Sequence, residues 1–354
     1  LDWKYPLDID LEKRKAIRSD TVTVERLVDP GIMPDDDFER EQESASLRPT
    51  SFNEYPGQEL AKRSLEIYVK AALLRDSPLD HVVLHGPPGL GKTTLANIIA
   101  KELGRPFVAT SGPALDRPGD LAGILSSLSH GTVLFIDEVH RLPIKVEEIL
   151  YTAMEDFRID IVVGQGPSAR TVPVELQPFT LIGATTRLSL ISAPLISRFG
   201  IQERLEYYSE EALCQILERS ARVIGLNLSN SGNREIAMRS RGTPRIANRL
   251  LKRVADFAIV AGIKEIESDI AHIALSSQGI DTSGLDRIDR SILAVMKEQY
   301  DGGPVGIDSI SASMNEDRST IEDVYEPYLV HRGFVARTSR GRMLTKMAID
   351  LLNR

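Results

Sequence analysis

An α/β core, then a smaller all-helical domain, then a winged-helix module is the architecture this 354-residue sequence predicts. Three observations carry it. Between Leu47 and Tyr208, apolar strand-like runs alternate with helical patterns, which implies a parallel sheet covered by helices. From Ser209 to about Gly279 the apolar spacing is helical throughout. Beyond that, helical stretches lead into two strand-like pieces around a basic turn, the pattern of a winged helix.

The core reads as the strand His81 to His85 and helix Thr94 to Leu103, the strand Val133 to Ile136 and helix Val146 to Met154, and the strand Phe179 to Gly183. Between the last two strands, Ile159 to Gly164 and Thr171 to Val174 flank a Gly/Pro loop and predict an inserted hairpin. The helical domain, 209–279, turns at Gly225, Gly242 and Gly262. The module 280–354 opens with the helix Ile288 to Gln299 and breaks at Gly302-Gly303-Pro304. It closes with Gly333 to Thr338 and Arg342 to Thr345 around Ser339-Arg340-Gly341. Residues 1–46 have no sustained period and read as a solvated arm, its Asp35-Asp36-Asp37 run included. The Leu at position 1 suggests a missing or trimmed start.

A net charge of -8 weighs against a protein coated in nucleic acid, but 13 acids and 7 bases in residues 1–46 supply most of it. The carboxyl end is locally basic: residues 327–354 hold six Arg and Lys against Asp350 alone. One cysteine, Cys214, excludes an internal disulfide and sits at a helical core position. No Cys/His cluster has zinc spacing, no apolar run has membrane-spanning length, and no leader is visible, so a reducing cytoplasm is expected.

The chemistry concentrates at five places. Gly86-Pro87-Pro88-Gly89-Leu90-Gly91-Lys92-Thr93 follows a strand and opens a helix, the context of a phosphate-binding loop. Its glycines let backbone N–H groups curl around phosphate oxygens at a helix amino terminus, Lys92 reaches the terminal phosphates of ATP, and Thr93 offers a hydroxyl to magnesium. Val133 to Glu138 is an apolar strand ending in two carboxylates: Asp137 to hold Mg2+ through water, Glu138 to polarise the attacking water. Thr180 to Arg187 ends in hydroxyls that can sense a terminal phosphate, with Thr186 preferred over Thr185. The fourth and fifth are Ser197-Arg198 and Gly242-Thr243-Pro244-Arg245, whose arginines taken singly read as surface ion-pair partners.

In order and spacing these five elements resemble the AAA+ superfamily. The segments Gly86 to Thr94, Ser111 to Leu115, Glu155-Asp156-Phe157, Gly166 to Arg170, Gly183 to Arg187, Arg241 to Leu251 and Asp323 to Tyr328 resemble the RuvB family within it, from Leu47 to the carboxyl end. The resemblance implies an AAA+ ATPase core, a helical lid and a DNA-binding winged helix. It implies ATP hydrolysis that drives branch migration of Holliday junctions, in a hexameric ring around duplex DNA, with RuvA and RuvC as partners. By that likeness Arg198 is a finger inserted into the neighbouring subunit's site and Arg245 a second sensor. Leu47, Arg48, Gly89, Gly91, Thr94, Glu155, Asp156, Phe157 and Tyr208 join Lys92 and Thr93 around the nucleotide. Arg337 and Arg342 contact DNA, and the 159–174 hairpin meets RuvA.

The run Pro194-Leu195-Ile196-Ser197 before the finger and Thr338-Ser339 at the wing tip depart from the usual family pattern without removing a functional side chain. Two other readings stay open from the residues themselves. One is a different AAA+ enzyme, such as a clamp-loader subunit or protein remodeller. The other is a winged-helix regulator that uses ATP as a switch. Glu138 together with Arg198 speaks against the regulator, and the basic wing against the remodeller.

Overall fold

The computed structural model describes residues 48–163 and 170–353, all within one compact unit. Residues 1–46, Leu47, the hairpin tip 164–169 and Arg354 lie outside the described residues.

The core begins with α1 (Glu59–Arg75), β1 (Val82–His85) and α2 (Lys92–Glu102). There follow β2 (Phe107–Ser111), α3 (Pro118–Ser127), β3 (Val133–Asp137) and α4 (Ile144–Asp156). The inserted hairpin is β4 (Arg158–Val163) and β5 (Arg170–Glu175), then come β6 (Thr180–Thr185), α5 (Ala193–Arg198) and β7 (Ile201–Arg204). Five of these strands form one parallel sheet in the order β2-β3-β6-β1-β7. The hairpin is a separate antiparallel pair, with Ile159 opposite Val174.

Strand alternation divides the core. Val82 and Leu84 face a layer containing Leu95, Ile98 and Ile99 of α2, whereas Val83 faces one containing Leu121, Leu150 and Leu195 of α3, α4 and α5. The three middle strands are buried on both faces and are correspondingly apolar. The two edge strands, β2 and β7, are absent from the sequence reading because they carry polar residues: Ile201-Gln202-Glu203-Arg204 buries only Ile201 fully.

The lid consists of α6 (Glu210–Val223), α7 (Asn230–Met238), α8 (Pro244–Ala261) and α9 (Ser268–Ser277). Ser209 caps α6 by accepting from the Ala212 N–H at 3.2 Å. Helix α8 buries Ala247, Leu250, Leu251, Val254 and Ala258 at helical spacing, and Gly262 ends it at φ 68°. This stripe is continuous with the α2 side of the core.

The last module has its own hydrophobic cluster around Leu293, Ile310, Leu329 and Phe334. It comprises α10 (Arg287–Glu298), α11 (Ile307–Met314) and α12 (Arg318–Thr320). A π-helical turn, Ile321–Tyr325, leads into α13 (Glu326–His331), then β8 (Val335–Thr338), β9 (Gly341–Leu344) and α14 (Lys346–Leu352). Strands β8 and β9 pair antiparallel and set Arg337 directly opposite Arg342.

Candidate functional site

The phosphate loop leaves β1, a middle strand, and runs into α2. At Gly86 a Cβ would sit 2.4 Å from the Leu205 carbonyl oxygen, so only glycine fits between the loop and the strand beyond it. Gly89 has φ 79° and lies against the lid: the Arg245 N–H donates to the Gly89 carbonyl at 3.3 Å, and a Cβ there would meet the Arg245 Cβ at 3.1 Å. Gly91 caps α2, which places Lys92, Thr93 and Thr94 in its first turn.

Lys92 is buried, and its ammonium donates to the Gly86 and Pro87 carbonyls at 2.9 Å each. Burial pushes its pKa down to about 8; Asp137 opposes that shift and Arg245 adds to it. The lysine thus fills the loop, its ammonium held by two backbone carbonyls.

Asp137 ends β3, and its carboxylate accepts from the Glu138 N–H at 2.9 Å. Glu138 takes a left-handed conformation, φ 50°, and pairs with Arg141 at 3.0 Å. That backbone is uncommon for a non-glycine residue and concentrates at functional positions. The two candidate sensors differ sharply. Thr185, the last residue of β6, is buried, with its hydroxyl 3.0 Å from His140 Nδ1 and accepting from the Arg187 N–H at 2.9 Å. Thr186, one residue later, is exposed.

Tyr208 packs beneath the loop. Its hydroxyl donates towards the Leu90 carbonyl at 3.1 Å and lies 2.9 Å from the hydroxyl of Tyr55, which is itself 3.3 Å from the same carbonyl. Burial pushes the Tyr208 phenol up to about 12 and raises that of Tyr55 as well, so both rings stay neutral donors. Tyr208 also lines a cavity of about 240 Å³ with Arg241, Tyr328 and His331, where lid and winged helix meet. Arg48 is exposed, and its carbonyl accepts from Arg219 at 3.0 Å.

Arg198 belongs to a second cluster. Its guanidinium pairs with Glu155 at 3.1 Å, donates to the Tyr151 and Pro194 carbonyls, and stands 4.7 Å over the Tyr151 ring. These partners lie on α4 and α5 rather than on the phosphate loop. Asp156 is exposed beside them, and Phe157 turns through φ 47° to stack edge-on against Phe179.

A third cluster is on the wing. Arg337 and Arg342 both grip the buried carboxylate of Glu326, at 2.8 to 3.2 Å.

Three family models account for most of the chain. Residues 47–205 match "Holliday junction DNA helicase RuvB P-loop domain", 208–281 match "RuvB AAA lid domain", and 282–353 match "RuvB C-terminal winged helix domain". The chain belongs to the RuvB family. A RuvB subunit of Ligilactobacillus salivarius is 54% identical over 91% of this chain and 96% of its own length. One from Rubrobacter xylanophilus is 52% identical over 92% and 90%. The solved Thermotoga maritima RuvB Holliday junction branch migration motor superposes with a TM-score of 0.80 at 48% identity, covering 87% of this chain and 98% of that one.

Several contacts at the site carry no sequence signal. Tyr55 is an isolated polar residue in a loop, His140 one in a short helical turn, and Glu326 reads as one more charge on a helix. The link between Arg241 and the last module is also unannounced. Arg241 donates to the Gly284 carbonyl at 2.8 Å, pairs with Asp286 at 3.0 Å and with the buried Asp289, and stacks on Tyr328 at 5.0 Å.

Proposed function

We propose that this chain is the ATP-hydrolysing motor subunit of a hexameric ring that moves duplex DNA and drives branch migration of Holliday junctions. It would act in recombination and recombinational repair in the cytoplasm, with RuvA and RuvC. One observation carries the reading: a single turn, 241–245, touches both ends of the machine. Arg245 rests on the phosphate loop at Gly89 while Arg241, four residues earlier, is bound into the winged-helix module. A shift of the lid on nucleotide binding therefore displaces the DNA-binding module as well.

The functional division follows residues 47–208 for ATP, 209–279 for the lid and 280–354 for DNA. Lys92 neutralises the terminal phosphates, with Gly89, Gly91, Thr93 and Thr94 supplying N–H and hydroxyl donors. Glu138 polarises the attacking water, Thr186 holds the terminal phosphate, and Arg245 reports its presence to the lid. Glu138 must first leave Arg141, an exposed pair worth about 0.2–1 kcal/mol, so the swing is easy. Magnesium suits the donors: the Thr93 hydroxyl as a ligand and the Asp137 carboxylate through a water are two contacts rather than a cage, as for a cation that keeps waters and phosphate oxygens. Among the described residues there is no group of three or more His, Cys, Asp and Glu able to hold a metal. Bound there, Mg2+ would neutralise charge on the phosphates.

Arg198 enters the neighbouring subunit's site, with Leu47, Arg48, Glu155, Asp156, Phe157 and Tyr208 arranged around the nucleotide. The β4-β5 hairpin, whose Val172 is exposed, is the docking element for RuvA. Arg337 and Arg342 hold the DNA backbone without reading bases. The test is a synthetic four-way junction mixed with this protein, RuvA, ATP and magnesium. ATP-dependent appearance of duplex products supports the motor; an intact junction, with ATP hydrolysed, returns the protein to another AAA+ role.

A further inference from the structure

We propose that Glu326 is a positioning residue for DNA binding, one buried carboxylate that holds Arg337 and Arg342 side by side as a ready-made clamp for phosphate. The proposal rests on the reading that these two arginines touch DNA.

The geometry is specific. Glu326 Oε1 accepts from Arg337 Nε at 3.0 Å and from Arg342 Nε at 2.8 Å; Oε2 accepts from Arg337 Nη2 at 2.8 Å and from Arg342 Nη2 at 3.2 Å. Four charge-assisted bonds use the full acceptor capacity of the carboxylate. Glu326 itself is 3% exposed. Burial alone pushes its carboxyl up, but the hydrogen bonds and charges of Arg342 and Arg337 outweigh this and hold it below the usual range, so it is ionised at neutral pH.

Two guanidinium groups placed opposite each other across an antiparallel pair repel. Glu326 removes that repulsion yet leaves the trio with a net charge of about +1, by the ordinary charge states of Arg and Glu. Each arginine spends its Nε–Nη2 edge on the carboxylate, which leaves Nη1 of both, and the outer Nη2 hydrogen of Arg337, for another anion; Nη2 of Arg342 also faces Glu322 at 3.5 Å. Arg337 is 52% exposed at the side chain and offers most of the open edge, whereas Arg342 is 18% exposed and contributes its remaining edge from a more covered position. Held this way, the arginines lose little rotamer freedom on meeting a phosphate. Glu322, 3.5 Å from Arg342 and partly exposed, lies near the same arginine without taking part in the shared fork.

The sign of the effect separates positioning from simple repulsion. If Glu326 only added negative charge near DNA, its removal would tighten binding. Positioning requires the reverse. The experiment measures affinity of the full chain for a short synthetic duplex over a range of salt, for Glu326→Gln, Glu322→Gln, Arg337→Lys with Arg342→Lys, and Arg337→Ala with Arg342→Ala. Thermal unfolding of each confirms the fold.

The expected result is binding about tenfold weaker for Glu326→Gln, with the slope of log K against log salt shallower by about one. Glu322→Gln should bind as tightly as the parent or more tightly. The double lysine variant keeps both charges but cannot make the side-on fork, and should lose affinity in the same way. It also covers the case in which Glu326→Gln does not fold. Tighter binding by Glu326→Gln, or unchanged binding by the double lysine variant, overturns the proposal. Unchanged binding by the double alanine variant overturns instead the reading on which it rests.

Discussion

Arg187, two residues beyond the buried sensor candidate Thr185, forms an ion pair with Asp323 of the winged-helix module. Asp323 follows Glu322, which contacts Arg342. One surface pair therefore joins the segment just after β6 to the turn that leads into the wing.

Both members of that pair are partly exposed, so its contribution to stability is about 0.2–1 kcal/mol. Arg187→Ala should leave the unfolding midpoint nearly unchanged, yet reduce the acceleration of ATP hydrolysis by duplex DNA severalfold. The charge swap Arg187→Asp with Asp323→Arg should restore it. Steady-state hydrolysis with and without DNA makes the comparison; normal stimulation in the single variant would remove this contact from the coupling route.

Lys92 sets a pH dependence for the nucleotide-free protein. Its folded-state pKa, about 8, lies below the ordinary 10.5. Between those values the unfolded chain binds the extra proton, so stability rises with pH across that window and the burden is full below it. The burden is on the order of 3 kcal/mol. Lys92→Met should therefore raise the stability of the free protein by about 1–3 kcal/mol while abolishing ATP binding. In the parent, ATP binding at about pH 8.5 should take up a proton, visible by calorimetry in buffers of different ionisation enthalpy.

Asp289 behaves in the opposite sense. Burial raises its carboxyl to about 7 despite the opposing charge of Arg241. The folded protein then binds the extra proton between 3.8 and about 7, and stability falls as pH rises through that interval. Asp289→Asn should flatten this slope, a difference on the order of 4 kcal/mol between its ends. Urea unfolding at several pH values measures it, and a slope identical to the parent's would place the proton elsewhere.

Much of this arrangement is legible in the sequence because its causes are local. A phosphate loop needs glycine where backbone must pass close, as at Gly86, and doubly buried strands such as Val133–Asp137 must be apolar. Edge strands Phe107–Ser111 and Ile201–Arg204 escape notice because one side of each is not enclosed by the sheet. Contacts made by distant residues are illegible for another reason. Tyr55 and Tyr208 lie far apart in the chain and meet at the Leu90 carbonyl only once the core has folded, and Arg241 meets Asp289 only once the lid and the last module have packed. The wing arginines announce themselves by charge; the carboxylate that pairs them does not.

Hydrolysis in a site shared between neighbours is tested most directly by mixing two inactive variants. Arg198→Ala lacks the cation offered to a neighbour, a loss of about 10³-fold or more in turnover, and Glu138→Gln lacks the group that polarises water. In a mixed ring, an Arg198→Ala subunit keeps Glu138 and receives Arg198 from an adjacent Glu138→Gln subunit, so complete sites reappear. The measurement is ATP-dependent dissociation of a four-way junction in the presence of RuvA. Each variant alone should be inactive and their mixture active; a mixture as inactive as its components, although assembled, would contradict the shared site and the account built on it.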